Sequence, residues 1–99
     1  MQGHYPFEFE REMGCTEQEL RRWLPGASKQ GVTRWRERGA DIALDHGTVT
    51  LDWCTLEPRR IALITLPRLQ VRFAARGVEA AAWQRFMRFF DLYTQRGGG

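Results

Sequence analysis

Residues 41–74, DIALDHGTVTLDWCTLEPRRIALITLPRLQVRFA, decide the fold. The stretch reads as four short strands, divided by turn signals at His46-Gly47, Glu57-Pro58 and Leu66-Pro67. Asp41–Asp45 and Thr48–Trp53 make a hairpin. A two-residue turn at His46-Gly47 pairs Leu44 with Val49 and Ile42 with Leu51, four apolar residues on one face. Arg60–Thr65 and Leu69–Ala74 are the next two strands. In the second, Leu69, Val71 and Phe73 share a face. The run Ile61-Ala62-Leu63-Ile64 is apolar on both parities, the pattern of a central strand covered on both sides.

Before this block, Tyr5–Met13 alternates. Phe7, Phe9, Arg11 and Met13 take one parity; Glu8, Glu10 and Glu12 take the other, which is the signature of a half-buried strand. Thr16-x-x-Glu19 is a capping box, and it opens a helix over Glu17–Leu24 with Leu20, Trp23 and Leu24 on one face. Pro25-Gly26 is expected to end that helix. Residues 25–39 are irregular, with Val32–Arg38 as a ragged edge strand.

After the block, Gly77 precedes a second helix over Val78–Gln95. Ala82, Phe86, Phe89 and Tyr93 form one stripe, and Trp83, Met87 and Phe90 form another beside it. Together they exceed the roughly 100° that one packing face covers.

The elements give the order β-α-β-β-β-β-α. The expected class is α+β: one antiparallel sheet of about five strands with two helices on one face. This order resembles one repeat of the TATA-binding-protein-like fold, and it is also similar to a shortened helix-grip domain. The resemblance lies in topology over the whole chain, with no shared motif, and it implies no activity. Residues 1–96 are read as one domain, and Gly97-Gly98-Gly99 as a disordered tail.

Composition narrows the function classes. The 99 residues include 42% hydrophobic and 12% aromatic residues, which suits a packed domain. No apolar run approaches the ~20 residues that span a bilayer, so no membrane partner is expected. The start of the chain, MQGHYPFEFERE, lacks the basic and then apolar pattern of a signal peptide, and the expected location is the cytoplasm. Cys15 and Cys54 have no metal-ligand spacing, so reduced thiols are expected. The net charge of +3 comes with a strong preference for Arg over Lys.

No residues point to catalysis, and no cofactor or metal is expected. Cys15 stands beside the Thr16 cap, where a helix dipole can favour a thiolate. A nucleophile would still need a base, and His4 and His46 are the only histidines. Glu8, Glu10 and Glu12, about 6.8 Å apart along the strand, could instead form a ligand or cation surface. Lys29, Arg34, Trp35, Arg36 and Arg38 could contact nucleic acid, with phosphates on the cations and a base on the indole, and Arg21 and Arg22 could add to the patch. The reading ranked first is a non-enzymatic interaction module. It associates with a second copy or a protein partner through Trp83, Met87 and Phe90 of the over-wide helix.

Overall fold

The computed structural model of the chain describes residues 4–95. The glycine tail at 97–99 lies outside them. The element order is β1 (Glu8–Met13), α1 (Glu17–Ala27), β2 (Arg34–Arg36), β3 (Gly39–Leu44), β4 (Gly47–Ile61), β5 (Ile64–Arg76) and α2 (Ala80–Gln95). The five strands form one antiparallel sheet in the order β1-β5-β4-β3-β2. The expected class and element order hold, but the four strands between the helices are not the four that were read.

The ragged edge segment supplies one of them, as the three-residue β2. The hairpin before β4 turns at Asp45-His46, so Leu44 pairs with Gly47, Ile42 with Val49, and Ala40 with Leu51. The expected register is displaced by two residues. An even displacement keeps parity, so the same apolar residues still face the core. Two local facts select the observed turn. Asp45 takes a left-handed φ of 60°, which Asp tolerates better than most residues. Gly47 lies against the backbone of Arg76 and Gly77, leaving no room for a Cβ.

The signals at Glu57-Pro58 and Leu66-Pro67 are not turns. β4 runs through the first and β5 through the second. A bulge between Leu56 and Arg59 absorbs Pro58, and the chain reverses at Ala62-Leu63, where Ala62 has φ 55°. The expected strand Arg60–Thr65 is therefore the tip of a long hairpin.

Helix α1 begins at the capping box. The Glu19 amide donates to Thr16 Oγ1 at 3.1 Å, and the Thr16 amide donates to Glu19 Oε1 at 2.9 Å. The helix passes through Pro25 and ends at Ala27. Pro25 lacks the amide that would bond the Arg21 carbonyl, but the turn after it still closes. The Ser28 amide donates to the Leu24 carbonyl, and the Ser28 hydroxyl donates to the Pro25 carbonyl.

Both helices cover one sheet face. Leu20, Trp23, Leu24 and Ala27 of α1, with Trp83, Phe86, Met87 and Phe90 of α2, meet Ile42, Leu51, Trp53, Val71 and Phe73 in one buried cluster. Phe73 is at the centre, stacked on Phe9 at 4.9 Å and edge-on to Phe90 at 5.4 Å. The N-terminal segment clamps α2. The Trp83 indole N–H donates to the Pro6 carbonyl, and the Gln84 amide group exchanges two hydrogen bonds with the Tyr5 backbone.

Truncating a buried aromatic side chain typically costs about 3–5 kcal/mol. Trp83→Ala and Phe90→Ala should each lose that much in denaturant unfolding. A loss under about 1 kcal/mol would show that the side chain is not core.

Candidate functional site

Trp83, Met87 and Phe90, expected to meet a partner, are each 0% exposed. They are spent inside the chain's own core and offer no surface. What looked surplus on α2 is covered by α1 and by the segment from Tyr5 to Phe9. The large apolar residue that α2 does expose is Leu92.

The basic segment is also divided. Arg36 lies on the open sheet face, where it donates to Asp52 Oδ1 at 2.6 Å, Asp41 Oδ1 at 3.1 Å and the Leu51 carbonyl at 3.1 Å. These bonds raise its pKa, the one to Asp52 most. Trp35 is on the opposite parity, beside α1. The Arg21 guanidinium lies 5.4 Å from the Trp35 ring and 5.2 Å from the Trp53 ring, and it also donates to the carbonyls of Arg36 and Glu37. Lys29 sits over Phe89 of α2 at 4.4 Å. Arg34 and Arg38 are exposed. The five residues do not form one patch.

Glu8, Glu10 and Glu12 line the open face as expected, but arginines from β5 neutralise them. Arg72 donates to Glu8 at 2.8 Å and to Glu10 at 3.1 Å, and Gln70 also donates to Glu10. Arg68 grips Glu12 with two bonds, at 2.8 and 3.0 Å. The Arg72 bond holds the Glu8 carboxyl below the usual range, and the Arg68 bond does so for Glu12. Among the described residues, no group of three or more His, Cys, Asp or Glu is placed to hold a metal ion.

Cys15 is free and buried. Burial, with Glu19 nearby, pushes its thiol up to about 11, the reverse of an activated thiolate. Cys54 is free and exposed on the open face.

Two clefts flank the core. One, of about 260 Å³, lies between the end of α1, Leu44 and Phe86 and Phe89 of α2, with Lys29 and Arg85 on its rim. The other, of about 280 Å³, borders Arg11, Cys15, Trp23 and Asp91. In it the Arg11 guanidinium pairs with Asp91 and lies 5.1 Å from the Phe73 ring, and the Tyr5 hydroxyl donates to Asp91 at 2.5 Å. Burial, then the Asp91 bond, pushes the Tyr5 hydroxyl up to about 12. In this cleft the charges of Arg11 and Asp91 are paired with each other, while Arg11 Nε is buried without a hydrogen-bond partner.

The feature that no described element satisfies is the β4–β5 hairpin. β1 pairs with β5 only as far as Leu69, and β3 pairs with β4 only as far as Asp52. Beyond those points β4 and β5 continue as a two-stranded arm. Its rungs toward the tip are Leu56–Arg68, Arg59–Leu66, Arg60–Thr65 and Ile61–Ile64. Directly paired residues share a face, so Ile61, Ile64 and Leu66 lie together. Ile61 is 53% exposed, Ile64 59%, Leu66 42%, and Leu63, in the turn, 101%. The two-sided apolar pattern that predicted a covered central strand belongs to the least covered segment of the sheet. This candidate was visible as a pattern, but its exposure was not.

No protein-family model matches this sequence, and no curated protein or solved structure is significantly similar to it.

Two measurements check this assignment. A depressed carboxylate contributes stability above its ordinary value, and the contribution disappears as pH falls through the lowered folded value. Arg72→Gln should therefore raise the Glu8 titration midpoint toward the ordinary carboxylate value in NMR while Glu12 stays low. An unmoved Glu8 would remove Arg72 as the cause. A thiol reagent should label Cys54 rapidly in the folded chain and Cys15 only after unfolding. Fast labelling in Cys54→Ser would contradict the burial of Cys15.

Proposed function

We propose that this protein is a non-enzymatic interaction module whose contact element is the β4–β5 arm, not helix α2. One observation carries the reading. Four large aliphatic side chains cluster at the end of a projecting hairpin, at least two-fifths exposed, with no described element covering them. Contiguous apolar surface of this kind marks interaction sites, because leaving it in water costs free energy that a partner would recover.

Two further observations support binding over catalysis. The Cys15 thiol is held in its protonated form, and the strand carboxylates are occupied by arginines. The nucleic-acid reading of Lys29, Arg34, Trp35, Arg36 and Arg38 has weaker support, since Arg36 is held by two carboxylates and Trp35 is stacked by Arg21.

The arm should be dispensable for folding and required for contact. Leu63→Asp with Ile64→Asp should change unfolding free energy by less than about 1 kcal/mol, as for other exposed positions. A photo-crosslinking amino acid at position 63 should give adducts in the cell. The same group at position 92, also exposed but outside the arm, should give few. Equal yields at both positions, or none at 63, would refute the reading.

A further inference from the structure

The segment between the two prolines of the arm, Pro58 to Pro67, reads PRRIALITLP. Its charges are Arg59 and Arg60, and it contains no acid. We infer that the arm seats on an anionic lipid surface, with its aliphatic tip in the headgroup–acyl boundary and the two arginines among the headgroups. The inference rests on the arm being the contact element and names what it contacts.

The order of the rungs supports this placement. Leu63 and the Ile61–Ile64 pair occupy the tip, and Arg60 and Arg59 occupy the next two rungs behind it. At about 3.3 Å per rung, the arginines sit roughly 5–10 Å behind the turn. Interfacial elements bury their apolar side to a depth of about 5–10 Å. Long arginine side chains can lie along the apolar stem and place their charge at the headgroups. Arg59 also attracts Glu12, but Arg68 is the residue that holds that carboxylate. Arg60 makes a 3.5 Å contact with Thr65, and no carboxylate pairs with Arg59 or Arg60 among the described residues.

Charge also disfavours a second copy of the chain. Packing two arms through their apolar faces brings Arg59 of one copy against Arg59 of the other, since Arg59 shares the face of Ile61, Ile64 and Leu66. The apolar cleft beside Phe86 and Phe89 is rimmed by Lys29 and Arg85, the same sign as the arm. Edge pairing is opposed by Pro58, Pro67 and the bulge at Leu56/Arg59. The expectation of no membrane partner rests on the lack of a spanning segment, and no described helix is long and apolar enough to cross a bilayer. Lying on a surface needs no span.

The test is flotation of the full chain with vesicles of phosphatidylcholine alone, or of phosphatidylcholine mixed with phosphatidylserine. Wild type should bind the mixed vesicles and not the neutral ones. Arg59→Glu with Arg60→Glu should bind at least about thirtyfold more weakly, the expected worth of two cations at an anionic surface. Leu63→Asp with Ile64→Asp should lose about tenfold or more. Arg34→Glu with Arg38→Glu, away from the arm, should lose little. Binding that Leu63→Asp with Ile64→Asp leaves intact would mean simple electrostatic adsorption and would overturn the inference. So would failure of wild type to bind mixed vesicles. If position 63 then crosslinks to a protein instead, the arm remains the contact element and only the lipid surface is wrong. Absence of both vesicle binding and adducts at 63 would sink the two readings together.

Discussion

The β4–β5 ladder is the interaction on which the rest of the fold hangs. Its strands are 15 and 13 residues long, whereas β1 and β3, which flank them, have six each. Near the chain's compact end the ladder is the middle of the sheet. It carries β1 on one side, β3 and β2 on the other, and both helices on one face. Past Trp53 and Leu69 it is alone. The same two strands therefore hold the centre of the core, at Leu51 and Phe73, and the most exposed aliphatic residue described, Leu63. Two helices of 11 and 16 residues cover one sheet face over part of its length, and no element is left for the rest.

That limit explains the open face. A sheet face without a helix must be wet, and this one is filled with paired charges. Arg72 bridges Glu8 and Glu10, Arg68 holds Glu12, and Arg36 bridges Asp41 and Asp52. Exposed pairs of this kind contribute little stability each. Their consequence is specificity: carboxylates on β1 opposite arginines on β5 favour the observed register over a slip by one residue, which would also turn Phe9 to water. The same pairing occupies three arginines and five carboxylates of that face. The free cations are left at the periphery, among them Arg59 and Arg60.

What was legible in the sequence was whatever is local. The alternation of β1 and the Thr16–Glu19 box each depend on residues within a few positions, and both were read correctly. The hairpin turn was misplaced because its choice depends on Gly47 touching Arg76 and Gly77, some 30 residues away. Pro58 and Pro67 were read as turns because a proline in a ladder normally disrupts it, and a bulge that accommodates one has no sequence signature of its own. Trp83, Met87 and Phe90 looked unsatisfied because the cover supplied by Tyr5, Pro6 and Phe9 comes from the far end of the chain. The arginines of 34–38 could be counted, but their partners could not. Arg36 finds one carboxylate five residues away and another 16 away.

The arm is the sharpest case, because the pattern was read correctly and its meaning reversed. Periodicity reports that both faces of residues 61–64 are apolar, and it cannot say whether the cover belongs to the same chain. A long apolar hairpin with free edges is an aggregation hazard unless its edges are blunted. Here a proline stands in each strand of the arm, a bulge interrupts β4, and Arg59 and Arg60 flank the apolar run. These devices oppose strand addition at the edges, yet they leave the aliphatic face of Ile61, Ile64 and Leu66 bare. A sequence under pressure only to remain monomeric could have replaced Leu63 or Ile64 with a polar residue, since neither contributes to the core. An isolated two-stranded hairpin is also marginal in water. Guarded edges, a bare apolar face and marginal intrinsic order are what the proposed side-chain contact would require, and the β4–β5 ladder holds the element in position.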